Sequence, residues 1–408
     1  MLPSFAMSAL AFRPANEEDL DRLVEIHGAA FPDARGTAAR RRNFEQNALG
    51  RLSDLMVAHY GGGIVGHAFA FPLHAFFGGK AVPIVGIASV GVAPEARGRG
   101  VATALVRHIH ETARQAGTAL SMLFAWRHGF YARLGYAEVA CTHRFRCDPR
   151  AVPRAWIEAA RAAELRPVTG ADREALVACY RREATKRTGW LHRPEALWSR
   201  LLLSEWLRAV VASQAAGVAG YVLFELAQDE PHSETRLWVH ELVADDDATR
   251  RVLWGFLGSQ AGQVAELEIE LEAGDPTPFA MTDVDGRRGG TERVEHELGG
   301  VVAGPMLHLF DVGRALAARG YGPDGDVNLA VDGETFRLEV RSGEGKVVHL
   351  DAANEQVEVD ARTLASVAFG GLAVIDAARL GLVRGPSGAI ARADELLRVP
   401  PFFTLDRF

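Results

Sequence analysis

The stretch Ser89-Val-Gly-Val-Ala-Pro-Glu-Ala-Arg-Gly-Arg-Gly-Val-Ala-Thr-Ala-Leu105 decides how this chain is read. It opens as an apolar, β-branched run, which predicts a strand. It breaks at Pro94, passes through Arg97-Gly98-Arg99-Gly100, and then takes helical spacing at Ala102, Leu105, Val106, Ile109 and Ala113. A strand feeding a glycine-rich turn that opens a helix sets unpaired backbone N–H groups side by side at a positive dipole end. Such a place suits an anion, above all a pyrophosphate. Gly98 and Gly100 let the backbone approach the ligand, and Arg97 and Arg99 add charge at the rim.

Glycine-rich turns are common, so the details discriminate. A P-loop needs Gly-Lys-Ser/Thr, which is missing here, and Thr103 stands where the third glycine of a dinucleotide fingerprint belongs. What is present is Val-x-Pro-x-x-Arg-x-x-Gly-x-Ala from Val92 to Ala102. This resembles the acetyl-CoA signature of the GNAT N-acetyltransferases; the plain alternative is an ordinary strand-to-helix connection.

At 408 residues the chain exceeds one ordinary core, so two or three domains are expected. A net charge of -7 argues against nucleic-acid binding and fits a cationic small substrate. Cys141, Cys147 and Cys179 are too few for a disulfide framework, which points to a reducing cytoplasm. Cys141-x-His143-x-x-x-Cys147 lacks a fourth ligand at metal-site spacing, so no metal is expected. Met1–Phe12 has no basic n-region, and no run approaches the roughly 20 apolar residues of a membrane span, so no membrane partner is expected.

Taken in order, Ala11–Pro14 reads as a strand, and Asn16 caps a helix whose apolar stripe is Leu20, Leu23, Val24, His27 and Phe31. His27 on that stripe reads as a core histidine, and Arg40-Arg41-Arg42 as a solvated helix face. Strands at Leu55–Tyr60, Ile64–Phe77 and Ala81–Val92 are joined by Gly61-Gly62-Gly63 and Gly78-Gly79-Lys80. After the glycine turn and its helix come a strand at Thr118–Ala125, the segment His128-Gly-Phe-Tyr131-Ala-Arg-Leu-Gly135-Tyr136, and a last strand through Ala140–Cys147. A second cycle starts at Leu165-Arg-Pro167, close to the wording of Phe12-Arg-Pro14. It runs through helices and the strands Val218–Leu226, Thr235–Val243 and Glu266–Glu272. At its turn stands Asp245-Asp246-Asp247 in place of glycines, so three carboxylates occupy the anion position. Pro305–Ala318 links into a third unit with strands at Val327–Val331, Thr335–Val340 and Lys346–Leu350, and the chain ends Pro400-Pro-Phe-Phe-Thr-Leu-Asp-Arg-Phe408.

The segment Phe-Tyr-x-x-Leu-Gly-Tyr is similar to the GNAT segment whose tyrosine lies beside the thioester sulfur, which by position is Tyr131. The patterns Val331-Asp-Gly-Glu-Thr-Phe-Arg-Leu-Glu-Val340 and Leu364-x-x-x-x-Phe-Gly-Gly-Leu resemble a sterol-carrier-protein-2-type domain. Together with the terminal phenylalanine, these features resemble the enhanced-intracellular-survival (Eis) acetyltransferases over nearly the whole chain. The resemblance implies an α/β and α+β architecture. Residues 1–150 form a catalytic GNAT domain, 151–290 a degenerate GNAT-like domain without CoA, and 291–408 a sterol-carrier-like domain that supplies the C-terminal carboxylate.

It further implies acetyl-CoA as co-substrate, with Val90 and Val92 pairing to the pantetheine arm. The turn Arg97, Gly98, Arg99, Gly100, Val101 and Ala102 takes the pyrophosphate. Tyr131 becomes the general acid and the α-carboxylate of Phe408 the general base. Phe31 and Asp33 match the amine pocket. The family's penultimate position can be acidic, whereas here it is Arg407, with Asp406 placed to compensate. A hexamer of identical chains is implied as well.

Acyl transfer from a thioester to an amine needs a deprotonated amine, a stabilised oxyanion and a proton for the departing thiolate. A tyrosine (about 10) suits a thiolate whose acid lies near roughly 8.5. A terminal carboxyl near roughly 3.5 is a weak base in water, so it works desolvated, through a water, or by anchoring the ammonium. The expected function is acetyl transfer to primary amines of aminoglycoside, polyamine or lysine type. The competing class is a non-catalytic acyl-CoA or lipid carrier.

Overall fold

The computed structural model describes residues 10–32, 36–215, 217–228, 230, 233–284 and 297–408. The first run of elements is β1 (Ala11–Pro14), α1 (Leu20–Ala30), α2 (Gly36–Glu45), β2 (Leu55–Tyr60), β3 (Gly63–Phe77), β4 (Lys80–Val92), α3 (Val101–Gln115), β5 (Leu120–Leu123), α4 (His128–Ala132) and β6 (Ala137–Glu138). Next come β7 (Cys141–Cys147), α5 (Arg154–Ala162), β8 (Glu164–Pro167), α6 (Arg173–Ala184), α7 (Glu195–Leu202), β9 (Arg208–Gln214), β10 (Gly217–Ala227) and β11 (Arg236–Ala244). They are followed by α8 (Asp247–Gly258), β12 (Glu266–Glu272), β13 (Gly299–Ala303) and β14 (Met306–Leu309). The last unit holds α9 (Val312–Ala318), β15 (Gly325–Val331), β16 (Glu334–Arg341), β17 (Glu344–Leu350), β18 (Gln356–Val359), α10 (Ala361–Ala368), α11 (Val374–Arg379), β19 (Val383–Arg384) and α12 (Ser387–Leu397).

Three sheets result, in the orders β1-β2-β3-β4-β5-β14-β6, β13-β7-β12-β11-β10-β9-β8 and β17-β16-β15-β18-β19. The first two sheets trade a strand. β7, which in sequence closes the first half, pairs with β12 and β13 in the second sheet. β14, which in sequence reads as part of a linker, pairs with β5 and β6 and completes the first. Each half therefore leans on the other for backbone hydrogen bonds that its own chain does not supply.

The two halves also start alike. Arg13 donates two 2.7 Å bonds to Asp19, whose Oδ2 accepts from the amide of Asn16. Arg166 does the same to Asp172, at 2.7 and 2.6 Å, with Thr169 in the cap position. Such a carboxylate satisfies an orphan helix N–H and ties the entering strand to the helix.

β3 pairs with β2 only as far as Phe69 and with β4 over its whole outer length, so the edge beyond Phe69 is free to carry Pro72, which has no N–H to donate. The segment Gly189–His192 of the second half adds to that edge. Phe76 N donates to Trp190 O, and the Gly189 and His192 amides donate to Phe76 O and His74 O, each at 2.8 Å. Beneath the sheet, α3 buries Leu105, Val106 and Ile109 of the stripe read from the sequence, together with Val101, while Ala102 and Ala113 are half-buried. Arg40, expected on a solvated face, is instead buried, its guanidinium donating to Phe31 O at 3.0 Å. In the third unit Leu329, Leu338, Leu364 and Leu396 fill the interior. No helix among the described residues is long and apolar enough to cross a membrane.

Candidate active site

β4 and β5 are parallel and pair only at Val85–Ser121, Gly86–Met122 and Ile87–Leu123. Beyond Ile87 they separate, and β4 runs on to Val92 without a partner on that side. A register shift in the β3–β4 ladder falls where Ser89 takes a left-handed φ of 50°, which kinks β4 at the point of separation. The gap is a cleft of about 840 Å³ whose walls include His27, Phe31, Ser89, Val90, Ala102, Phe124, Trp126, Tyr131 and Phe408.

At its floor the strand-to-helix turn has the expected shape. Gly98 and Gly100 take φ of 74° and 80°, conformations that L side chains rarely adopt, and Gly100 is the N-cap of α3. A Cβ on Gly98 would meet nothing within 4 Å, so the turn faces open space. The first amides of α3 have no intrahelical acceptors and converge there. Arg97 does more than add rim charge: its Nε donates to Val92 O at 3.3 Å and its Nη2 to Ala29 O at 2.8 Å, stapling the ends of β4 and α1. Val101 is buried beneath the turn, Arg99 is half-buried beside it, and Ala102 lines the cleft with no bulk to block it.

Tyr131 comes from α4, a single helical turn closed by the Tyr136 amide donating to Tyr131 O at 3.1 Å. Its ring is wedged edge-on between Phe130 at 4.8 Å and Tyr136 at 5.7 Å. Behind it the Tyr136 hydroxyl shares hydrogen bonds with Ser121 Oγ at 2.5 Å and His110 Nε2 at 2.8 Å. Burial pushes the Tyr131 phenol up to about 12, so it holds its proton throughout the neutral range.

The chain's far end enters from the other side. The Phe408 ring sits edge-on to Phe124 at 5.7 Å and to Phe71 at 6.4 Å. A Cβ on Gly86 would stand 2.9 Å from it, so the absence of a side chain there admits the ring.

The cleft thus gathers Phe31, Val90, Ala102, Tyr131 and Phe408. Val92 is half-buried and is not among the lining residues, and Asp33 falls outside the described residues. Asp406 is not part of the lining: it is buried, its carboxylate held by Arg193 at 2.9 Å. The sequence reading overlooked Asn43, Phe124 and Trp126, and it placed His27 in the core only; its buried ring also forms part of the cleft wall, against Phe31 at 4.7 Å. Among the described residues no group of three His, Cys, Asp or Glu is placed to hold a metal ion.

The corresponding turn of the second half carries no glycines. Asp245 pairs with Arg182 at 2.6 Å, and Asp246 caps α8 by accepting from the Thr249 amide at 2.7 Å. The amide an anion would use is already satisfied by a carboxylate, and negative charge stands around it.

Comparison with known proteins gives three family matches along the chain. An acetyltransferase (GNAT) domain family matches residues 11–139, a second acetyltransferase (GNAT) domain family 189–298, and the sterol carrier protein domain family 312–404. The chain is a GNAT-family N-acetyltransferase, a class that uses an acyl-CoA co-substrate. It is 27% identical over 327 residues to the N-acetyltransferase Eis of Mycobacterium tuberculosis, covering 76% of this chain and 77% of that one. An uncharacterized N-acetyltransferase of Streptomyces avermitilis is 29% identical over 357 residues, covering 79% and 81%. Among solved structures, Eis1 from Mycobacterium abscessus aligns with a TM-score of 0.75 at 25% identity, over 98% of this chain and 100% of that one. A GCN5-related N-acetyltransferase from Kribbella flavida gives 0.82 at 26%, over 98% of each. Within its class the chain is Eis-like: two GNAT domains followed by a sterol-carrier-type domain.

Proposed function

We propose that this enzyme moves an acetyl group from acetyl-CoA to a primary amine, with Tyr131 as general acid and the α-carboxylate of Phe408 as general base. One observation carries the reading: Tyr131 and the chain's last residue line a single cleft above the glycine turn. The turn fits a pyrophosphate: a Cβ on Gly98 would meet nothing within 4 Å, Gly98 and Gly100 both take left-handed φ, and in this reading the amides of Arg97–Ala102 take the anion. Past the point where β4 leaves β5, the edge of β4 at Val90 and Val92 has no strand partner and in this reading takes the pantetheine arm, the Val92 carbonyl being shared with Arg97 Nε. Acetyl-CoA, when bound, supplies an acetyl group activated as a thioester.

The protein's own groups handle the protons. The Phe408 carboxylate anchors the incoming ammonium and takes up the proton it must lose, and a carboxylate partly withdrawn from water binds a proton more tightly. The Tyr131 hydroxyl holds the proton for the departing sulfur. A phenol near 12 is a weak acid, but the same burial makes a thiolate more basic, so the two shift together.

Phe31, Asn43 and Phe124 form the amine side of the cleft in this reading, and Asp33 joins them on the strength of the family resemblance. Asp406 serves to hold the tail, and no acidic side chain of the described residues lines the walls, while Arg127 and Arg133 do. Of the three amine types, this lining suits a single amine on an apolar body, such as a lysine side chain, better than an aminoglycoside or polyamine. Three free thiols fit a cytoplasmic setting. A hexamer is part of the proposal, with Trp206 and Leu203, 78% and 79% exposed, available for contacts. Light scattering reads that state directly.

Free-thiol release from acetyl-CoA across an amine panel tests the reaction. Tyr131→Phe and a chain extended past Phe408 should each turn over slowly while still binding acetyl-CoA. Wild-type rates in the extended chain remove the carboxylate from the mechanism.

A further inference from the structure

The second sheet repeats the geometry of the first. β11 and β12 are parallel, pair from Arg236–Glu266 to Val239–Ile269, and then separate. In the first half the equivalent gap is the open cleft. In the second it is lined by the chain's own tail, Phe403 and Leu405, and a cavity of about 240 Å³ remains. The tail is held by one isolated parallel bridge and two backbone bonds: Phe402 bridges Thr188, the Phe402 amide donates to Gly370 O at 2.9 Å, and the Phe403 amide donates to Thr188 O at 3.0 Å.

It is then latched. Arg193 has a fully buried side chain. Its Nε donates to both carboxylate oxygens of Asp406, at 3.0 and 2.9 Å, while Nη1 and Nη2 donate to Glu241 at 3.1 and 2.7 Å. Tyr221 donates its hydroxyl to Glu241 at 2.9 Å, and the guanidinium lies over the rings of Tyr180 and Trp198 at 4.1 and 4.9 Å. Burial alone lowers the Arg193 pKa, but the two carboxylates outweigh it and hold the guanidinium charged. One residue further, Arg407 reaches Glu270 on β12 with two 2.7 Å bonds and lies over Phe124 of the first cleft at 5.7 Å.

We propose that the cofactor gap of the second GNAT domain has become the receptor for the protein's own C-terminal segment, and that Arg193 is the positioning residue that aims the Phe408 carboxylate. This rests on reading that carboxylate as the base. Phe408 stands two residues beyond the latch, so with about 3.3–3.6 Å per extended residue the carboxylate has little slack once Asp406 is held. Arg193 touches neither substrate; it acts through the tail.

The test uses the full chain with Asp406→Ala. Glu241 still chelates Arg193 in that variant, so no buried guanidinium is orphaned and the domain should fold; Asp406→Asn, which keeps an acceptor for Nε, should give a milder defect. The expected kcat loss for Asp406→Ala is about 100-fold, the scale of a displaced catalytic group. The KM for acetyl-CoA should change by less than about twofold, because the glycine turn is untouched. Release of phenylalanine by a carboxypeptidase should quicken at least about tenfold as the tail opens locally. In a chain lacking Phe408, Asp406→Ala should cost no further activity, which a merely structural role would not predict. Unchanged kcat and unchanged phenylalanine release, or an equal loss in the background without Phe408, overturn the latch. If removing Phe408 alone costs nothing, the base assignment fails, and phenylalanine release still decides the latch.

Discussion

The two GNAT domains share a strand order, an arginine–aspartate staple at the entry and a pair of parallel strands that part halfway. Beyond the point of parting they differ. In the first, Gly98 and Gly100 take left-handed φ in the turn that opens α3, and Ala102 just beyond them lines the cleft. In the second, Asp246 occupies such an amide and the tail covers the gap. The scaffold is common to both; in the proposed reading, binding capacity rests on a few residues that either leave backbone donors unsatisfied or satisfy them.

The largest effect should come from the tail. Residues added after Phe408 move the carboxylate out of the first cleft, and kcat should fall about 10²–10⁴-fold, the range of a lost general base, with acetyl-CoA affinity by calorimetry unchanged. Tyr131→Phe should cost about 10²-fold in kcat, read from thiol release at saturating acetyl-CoA. Gly100→Val forces a β-branched residue into the left-handed region, at roughly 1–2 kcal/mol or more, and should raise the acetyl-CoA KM about tenfold.

A pH titration separates the halves further. Burial depresses His67 and His110, both in the first domain, to about 3. Below pH 6.5 the unfolded chain takes up protons that the folded one refuses, so stability falls as pH drops toward 3, by up to about 1.4 kcal/mol per pH unit for each histidine. Melting between pH 7 and 5 should therefore show a slope that His67→Leu flattens. The smallest effect belongs to the second turn. Asp246→Ala removes a helix cap and should cost about 1 kcal/mol of stability, with kcat and the acetyl-CoA KM at wild-type values. A change in acetyl-CoA affinity there would break the comparison.

Most single elements were legible because their signals are local. The α3 stripe, the hairpins around Gly62 and Gly79, and β12 lie where periodicity and turn residues put them. The glycine turn and Tyr131 were legible because their spacing resembles a family pattern. What escaped is non-local. Nothing in Cys141–Cys147 or Met306–Leu309 says which sheet will take it, since any apolar strand offers the same backbone donors. Asp406 looked free to meet a substrate, because the sequence does not reveal Arg193 waiting in the second half. The sequence reading also passed over α12, although Ala389, Ala393, Leu396 and Leu397 carry its buried stripe.

The traded strands have a consequence for how the enzyme is made. During synthesis the first domain emerges early, yet the strand that completes its sheet, Met306–Leu309, leaves the ribosome only after the second domain has been translated. A nascent polypeptide released before Met306–Leu309 would thus carry a first sheet one strand short, with its edge at β5 left unpaired, so the earliest domain to emerge is not the earliest to be finished.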